Sequence, residues 1–215
     1  KTGKAKLLGT DPDLRPKYDG IDAVKYDVIL CPSCGYTALT RFFNNITSGQ
    51  AKLIQDNISR NVRLTEYSDE TYSYEQALER YKLALANAVV KKCRMSEKAF
   101  ICLKSAWLLR GYAESLEKEG ADQKQIEELK ESEEEYLLNA FNGFSEAVQT
   151  ESMPMCGMDQ TTIDFLIAQL AMHFKKFDVA GKLVASILTS PSANARTKDK
   201  ARDLKDEILA QYKKT

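Results

Sequence analysis

The chain has little histidine and lacks the short motifs that specify common catalytic sites. His173 is the only histidine in 215 residues, which leaves little room for histidine-based acid–base chemistry or a catalytic triad. The sequence has no glycine-rich phosphate loop, no Gly-x-Ser-x-Gly and no His-Glu-x-x-His. These absences remove the usual signatures of P-loop nucleotide hydrolases, α/β-hydrolases and zinc metalloproteases. The sequence specifies no reaction, and we expect a protein that is not an enzyme.

Neither sign of charge is in excess, and no long apolar run is present. Lysine and arginine number 31, and aspartate and glutamate also number 31, so the net charge is zero. A neutral chain is a poor electrostatic match for nucleic acid or anionic lipid. No apolar run approaches the ~18 residues that span a bilayer. We therefore expect neither nucleic acid nor a membrane as the partner.

Cysteine occurs five times, an odd number whose spacing does not indicate a disulfide framework. A reducing cytoplasm fits this content. Cys31 and Cys34 belong to Cys-Pro-Ser-Cys-Gly, which directly follows the β-rich residues 25–30. A strand that leads into such a turn is how a zinc ribbon is built, and the pair supplies two of the four ligands that a structural zinc ion binds.

The other two ligands of such a zinc site are not evident downstream. Cys156 and His173 are the only loose candidates, so we expect the remaining ligands to lie upstream of Lys1. Two alternatives for Cys31 and Cys34 stay open, namely a redox dithiol and two ordinary cysteines in a turn. Zinc is thus the cofactor expected of a full-length protein, and nothing assures it for these 215 residues.

From about Ala38 the apolar residues follow a helical period, and local signals divide the pattern into helices. The predicted starts are a short helix at 38–45, capping boxes at Thr47 and Ser73, then Ser96, Asp122, Thr161, Asp178 and a last helix at 196–213. Gly120 is predicted to end the helix that begins at Ser96, and the helix from Asp122 runs to about Thr150. The pattern predicts a mainly α-helical fold.

Three of these helices share a spacing of small and large residues. The three sets are Ala77-x3-Tyr81-x2-Ala84, Ala140-x3-Phe144-x2-Ala147 and Ala180-x3-Val184-x2-Ile187. This spacing resembles the second helix of a tetratricopeptide repeat, and Trp107 with Gly111 keeps the spacing of the first helix. It predicts an array of antiparallel helix pairs over 46–215, ended by a capping helix, after a zinc-ribbon-like element over 1–45. A generic helical bundle with accidental alanine spacing is the alternative.

Two segments of the chain resemble a bacterial protein family. They are Leu7-Leu8-Gly9-Thr10-Asp11-Pro12-Asp13-Leu14-Arg15-Pro16-Lys17-Tyr18 and Tyr26-Asp27-Val28-Ile29-Leu30-Cys31-Pro32-Ser33-Cys34-Gly35-Tyr36-Thr37-Ala38. Through them the chain resembles, over nearly its whole length, the family catalogued as domain of unknown function 2225. The resemblance implies a bacterial protein with an earlier Cys-Pro-x-Cys, and it brings no catalytic residue and no substrate.

We expect a cytoplasmic scaffold that binds a protein or peptide. Repeat arrays bind peptides or partner helices in the groove lined by the first helix of each pair. The residues predicted to line the groove are Trp107, Tyr112, Phe165 and Gln169. The acidic middle of the chain, residues 67–190, favours an apolar or cationic ligand. The alternatives are a metal-dependent or thiol enzyme and a nucleic-acid-binding zinc ribbon, each completed by N-terminal cysteines, and the sequence does not indicate an oligomeric state.

Overall fold

The computed structural model describes residues 5–62 and 71–212, which are mainly helical with two small antiparallel sheets. The strands are β1 (Lys6–Thr10), β2 (Pro16–Asp19), β3 (Val28–Leu30) and β4 (Thr37–Leu39). The helices are α1 (Ser48–Ile54), α2 (Tyr74–Val90), α3 (Met95–Glu119), α4 (Gln123–Thr150), α5 (Gln160–His173), α6 (Phe177–Thr189) and α7 (Ala195–Tyr212). A 3-10 helix (Ala23–Tyr26) precedes β3, and a π-helical turn (Gln55–Ser59) follows α1. Within the described ranges, no helix has the length and apolar character needed to cross a membrane.

Two β-hairpins form the N-terminal part of the structure. β1 pairs with β2, and β3 pairs with β4 across the turn that holds both cysteines. The predicted strand before the cysteines is present as Val28–Leu30. The preceding Ala23–Tyr26 is a 3-10 helix instead, because the carboxylate of Asp22 accepts a hydrogen bond from the backbone N–H of Val24 and caps a helical turn there.

Helix boundaries follow the local capping signals. Both predicted capping boxes are present, at Thr47 and at Ser73. In each box the hydroxyl accepts a backbone N–H three residues on, and the glutamine at that position, Gln50 or Gln76, bonds back to the backbone of the capping residue. Gly120 ends α3 in the left-handed conformation, with φ of 70°. These predictions are confirmed.

Two predicted helix starts are wrong. Residues 38–45 contain the end of β4 and turns, because the backbone at Thr37–Leu39 pairs with β3. α3 begins at Met95, so Ser96 lies inside the helix and does not cap it. Ser96 is buried, and its backbone N–H and hydroxyl both donate to Glu151 just after α4. The carboxylate of Glu151, which is distant in sequence, therefore accepts a hydrogen bond from a free N–H group in the first turn of α3.

The helices pack largely against their neighbours in sequence. α2 packs on α3, α3 along α4, α5 along α6, and α6 against α7. The small and large residues of the shared spacing are all buried, and they are Ala77, Tyr81, Ala84, Ala140, Phe144, Ala147, Ala180, Val184 and Ile187. Small residues let two helices approach, and large residues fill the space beside the close contact. The spacing thus marks the interfaces between helices.

The N-terminal part is anchored to α2 and α3 by a shared hydrophobic core. Val24, Val28 and Leu39 cluster with Tyr81 and Leu108, and each is at most 4 % exposed. The hydroxyl of Tyr81 donates to the carbonyl of Val24 at 2.8 Å, which satisfies a fully buried phenol. The 3-10 helix and the β3–β4 hairpin are therefore held in a fixed position against the helices.

Gly143 controls how closely α4 approaches α3. A Cβ at Gly143 would lie 2.9 Å from the Cβ of Ala99, whereas a Cβ at Gly181 in α6 would meet no atom within 4 Å. We predict that Gly143→Ala lowers the free energy of unfolding by about 1–2 kcal/mol, because over-packing outweighs the helix propensity of alanine. The control Gly181→Ala raises it by about 0.5–1 kcal/mol. Urea unfolding measures both values, and a stabilised Gly143→Ala protein would contradict the close helix contact.

Candidate interaction surfaces and the cysteine turn

The tip of the β1–β2 hairpin, residues 11–15, lies on one face of α3. That face carries Trp107, Arg110 and Glu114, whose spacing of three and four residues places them on the same side of the helix. Each of the three forms a hydrogen bond with a side chain of the hairpin tip. The hairpin tip therefore covers the part of α3 that the sequence predicted to line a partner groove.

Asp13 is at the centre of this contact. It is only 8 % exposed. Its carboxylate accepts hydrogen bonds from the indole N–H of Trp107 at 3.1 Å and from the guanidinium of Arg110 at 2.9 and 3.2 Å. The backbone N–H of Arg15 also donates to it, at 3.3 Å. Because a buried carboxylate is tolerated only when it is paired and hydrogen-bonded, these donors are what permit its burial.

Arg110 connects the hairpin tip to α4. Its Nε donates to Glu133 of α4 at 2.7 Å, while its other nitrogens bind Asp13 and Asp11. Burial alone would lower the pKa of Arg110, but the attraction to Asp13 and Glu133 outweighs burial and raises it. Burial also raises the pKa of Glu133, although Arg110 opposes that change. Arg110 thus stays charged and joins carboxylates from two parts of the chain.

Arg15 provides a second attachment. Its two terminal nitrogens donate to the two oxygens of Glu114 at 2.8 Å each, and the hydrogen bonds from Arg15 lower the pKa of Glu114. Leu14 has φ of 71°, a left-handed conformation that costs a residue with a side chain about 1–2 kcal/mol. The bound side chains on either side of Leu14 hold the tip in this conformation.

The four predicted groove residues do not form one surface. Trp107, Tyr112 and Phe165 are 5, 9 and 4 % exposed, and Gln169 is half-buried. Trp107 lies under the hairpin tip. The ring of Tyr112 stacks on Tyr74 from α2, and a lysine of α7 lies over the ring of Phe165. The structure therefore brings these aromatic residues into three different contacts.

Beside the hairpin tip, a pocket of about 290 Å³ remains between α3, α4 and α5. Gln169 lines it together with Arg110, Glu133 and His173. His173 is exposed, and its Nε2 lies 2.8 Å from a carboxylate oxygen of Glu134. Gln169 is the predicted groove residue that lines this pocket. Pro12 and Asp13 of the hairpin tip form another part of the pocket wall.

An apolar groove of about 450 Å³ lies between α6 and α7, and we call it the α6–α7 groove. Val184 and Ile208 form its buried floor, and Phe177, Leu209 and Tyr212 line its sides. Leu209 and Tyr212 are each 49 % exposed. Large apolar side chains that are exposed together indicate an interaction surface more often than isolated ones do.

The rim of the α6–α7 groove is positively charged. Lys182 and Lys205 lie along it, and Asp178 is the carboxylate nearby. The hydroxyl of Tyr212 donates to Asp178, so part of that carboxylate's hydrogen-bonding capacity is already used. A ligand in the groove would therefore meet an apolar floor between two ammonium groups.

Sequence reasoning missed this groove. The predicted helix at 196–213 has a buried inner stripe formed by Ala201, Leu204 and Ile208, but its period alone does not show which other apolar residues stay exposed. The available signal was Leu209, an apolar residue just outside that inner stripe. An apolar residue beside the buried stripe of an amphipathic helix indicates that the apolar surface is wider than that stripe.

The cysteine turn joins β3 to β4. The backbone N–H of Cys31 donates to the carbonyl of Tyr36 at 2.8 Å, and that of Gly35 donates to the carbonyl of Cys31 at 3.0 Å. Gly35 has φ of 72°, which a residue without a side chain adopts at little cost. The hydroxyl of Ser59 donates to the carbonyl of Cys34 at 2.6 Å. These bonds keep both cysteines in a fixed turn near the surface.

The cysteine turn places the thiols of Cys31 and Cys34 within hydrogen-bonding reach of each other. Hydrogen bonds from the backbone of Ser33 and from Cys34 lower the pKa of Cys31, whereas burial raises the pKa of Cys34. Two thiolates are half of the ligand set of a tetrahedral structural zinc ion. Among the described residues, no three His, Cys, Asp or Glu side chains are grouped so as to hold a metal ion. A four-ligand zinc site here would need two ligands from other residues.

Of the remaining cysteines, Cys102 and Cys156 are buried and Cys93 is half-buried. Burial raises the pKa of Cys93 and of Cys156 to about 12 and that of Cys102 to about 11. Thiols with such pKa values stay protonated near neutral pH, and the thiolate is the reactive form. The thiol of Cys156 donates to the carbonyl of Ser96 at 3.3 Å, while His173 lies beside Glu134. Neither Cys156 nor His173 is grouped with Cys31 and Cys34 as a possible metal ligand.

The charge of Asp13 should be needed for stability, because its loss leaves Arg110 buried with less compensation. We predict that Asp13→Asn, which keeps the size of the side chain, lowers the free energy of unfolding by about 2–3 kcal/mol. The control is Asp199→Asn, which breaks an exposed ion pair with Arg202 and should have no measurable effect. Urea unfolding compares the variants. Equal stability of the two proteins would show that Asp13 does not hold the hairpin tip.

Comparisons with known proteins place the chain in a bacterial family. No curated protein and no solved structure matches it. A family model described as "Uncharacterized protein conserved in bacteria" matches residues 1–208, which include both hairpins and most of α7. The match confirms the resemblance drawn from the segments around Asp13 and Cys31. The chain therefore belongs to DUF2225, a family of proteins conserved in bacteria.

Proposed function

We propose that the protein is a non-catalytic cytoplasmic scaffold that binds an amphipathic helix of another protein in the α6–α7 groove. The observation that carries the proposal is the exposure of Leu209 and Tyr212 above a floor of buried apolar residues. Removing apolar surface from water is favourable by about 25 cal/mol per Å². A ligand that covers these two side chains would gain this free energy.

The packing of the helices supports a helical occupant. α7 lies against α6 as α6 lies against α5, so successive helices each cover the one before. The exposed face of α7 is not wholly polar, because Leu209 on α7 is half exposed. A partner helix that places an apolar stripe in the α6–α7 groove would continue the stack, in the manner of other helix-in-groove complexes.

The charges at the rim support an acidic partner. Lys182 and Lys205 flank the apolar floor, so carboxylates beside the apolar stripe of the partner would find opposite charge. This chemistry differs from the cationic ligand that the acidic middle of the chain favours. The charges at the rim of the groove determine which ligand is favoured, because exposed charges farther away than about 10 Å are screened by salt.

The α6–α7 groove is a better candidate than the surface around Trp107. The hairpin tip already lies against Trp107 and binds Arg110 beside it. A partner there would have to displace the tip and leave Asp13 and Arg110 without each other. The α6–α7 groove needs no such displacement.

Selection of helical peptides by display tests this proposal. The wild-type protein is the target, and Leu209→Glu, which puts a charge in the apolar groove, is the counter-target. We predict enrichment of peptides with apolar residues at i, i+3, i+4 and i+7 and with acidic flanks. Their affinity for Leu209→Glu should fall by about tenfold or more, because a buried leucine contributes about 1.5–3 kcal/mol.

A matched control is Leu138→Glu, which alters an exposed leucine of α4 far along the chain. This variant should bind the selected peptides as the wild type does. Peptides with basic flanks, or peptides that bind Leu209→Glu equally well, would contradict the proposal. Sedimentation that shows dimers of the wild type but not of Leu209→Glu would identify a second copy of the chain as the occupant and would also contradict it.

A further inference from the structure

A second pocket, of about 540 Å³, lies between β2, the start of α2 and the C-terminal half of α3, and we call it the hairpin pocket. Its walls carry Lys17 and Tyr18 from β2, Tyr74 from α2 and Lys118 from α3. Its lining is mostly polar, in contrast to the α6–α7 groove. The two sites therefore suit ligands of different chemistry.

Gly111 of α3 provides the space at the floor of the hairpin pocket. A Cβ at this position would lie 3.0 Å from polar atoms of Arg15, Asp22 and Tyr74. These three side chains can meet over α3 only because position 111 has no side chain. The hydroxyl of Tyr74 donates to Asp22 at 3.4 Å, and burial raises the pKa of Tyr74, so the hydroxyl keeps its proton.

Arg15 at this floor has an unsatisfied hydrogen-bond donor. Its side chain is 6 % exposed, and its two terminal nitrogens bind Glu114. Its Nε is buried and has no hydrogen-bond partner among the described residues. A buried donor without an acceptor is costly and is rare in folded proteins. The guanidinium at this floor therefore keeps one donor that the described residues do not satisfy, beside the two that bind Glu114.

The hairpin pocket has an excess of positive charge. The lining cations are Arg15, Lys17, Lys25 and Lys118, and the lining carboxylates are Asp22 and Glu114. Lys17 pairs with Asp11 at 2.8 Å, and Lys25 donates to the carbonyl of Tyr72 at 2.8 Å. Lys118 has no ion-pair or hydrogen-bond partner in the described part of the chain. Its ammonium group is thus available to an anion.

We propose that the hairpin pocket binds a small phosphorylated metabolite through its phosphate group. Lys17 of β2 and Lys118 of α3 both line the pocket, and their ammonium groups donate charge-assisted hydrogen bonds to phosphate oxygens. The hydroxyl of Tyr18 is a further donor at the wall. The volume of about 540 Å³ leaves space for an organic part beside the phosphate, and Asp22 accepts hydrogen bonds from its hydroxyl groups.

This inference goes beyond the proposed scaffold function and is independent of it. The hairpin pocket involves β2, α2 and α3, whereas the α6–α7 groove involves the last two helices. Leu209→Glu, which should weaken peptide binding, therefore leaves phosphate binding unchanged. Failure of one proposal does not imply failure of the other.

Calorimetric titration of the whole protein with inorganic phosphate, pyrophosphate and glycerol phosphate tests the inference, at an ionic strength held constant with chloride. We predict that glycerol phosphate binds and that uncharged glycerol does not. Lys118→Gln should weaken the binding about tenfold, because a charge-assisted hydrogen bond is lost. Since Lys118 has no partner among residues 5–62 and 71–212, this variant should fold as the wild type does.

The matched control is Lys124→Gln, whose lysine side chain is 80 % exposed on α4. It should bind glycerol phosphate as the wild type does. Three results would overturn the inference. They are the absence of binding beyond that seen with chloride, equal binding by wild type and Lys118→Gln, and an equal loss of binding in Lys118→Gln and Lys124→Gln.

Discussion

The ion pair between Asp13 and Arg110 is the contact on which the N-terminal arrangement depends. The buried carboxylate of Asp13 needs the charge of Arg110 as compensation, so its burial keeps the hairpin tip and α3 together. Their contact covers Trp107 and fixes β2 beside α3. It thereby closes one surface of the helical array and forms the walls of the hairpin pocket. A single electrostatic requirement thus determines which surfaces remain open to a ligand.

The helical framework was predictable because its signals are local. The capping boxes at Thr47 and Ser73 and the glycine at position 120 act within one turn of the chain. The contact of the hairpin tip with α3 joins residues 94 to 99 positions apart. No local pattern indicates such a contact, and the motif around Asp13 served only to indicate the family. Ser96 was misjudged for the same reason, since its partner is distant in sequence.

The candidate surfaces were predicted less well than the fold. The repeat spacing identified Trp107 as a residue of an inner helix face, and that face is occupied by the chain's own hairpin. The α6–α7 groove and the hairpin pocket depend on which apolar and charged side chains remain uncovered after packing. Leu209 and Lys118 are such residues, and their exposure follows from tertiary structure rather than from helical period.

Trp107 is the only tryptophan of the chain, so intrinsic fluorescence reports on the face beneath the hairpin tip alone. Quenching by acrylamide measures how far that indole is open to solvent. The docked hairpin tip predicts a blue-shifted emission and weak quenching in native buffer, with strong quenching only after unfolding in urea. Native protein whose tryptophan is quenched as readily as in urea would contradict a hairpin tip held on α3 by Asp13 and Arg110.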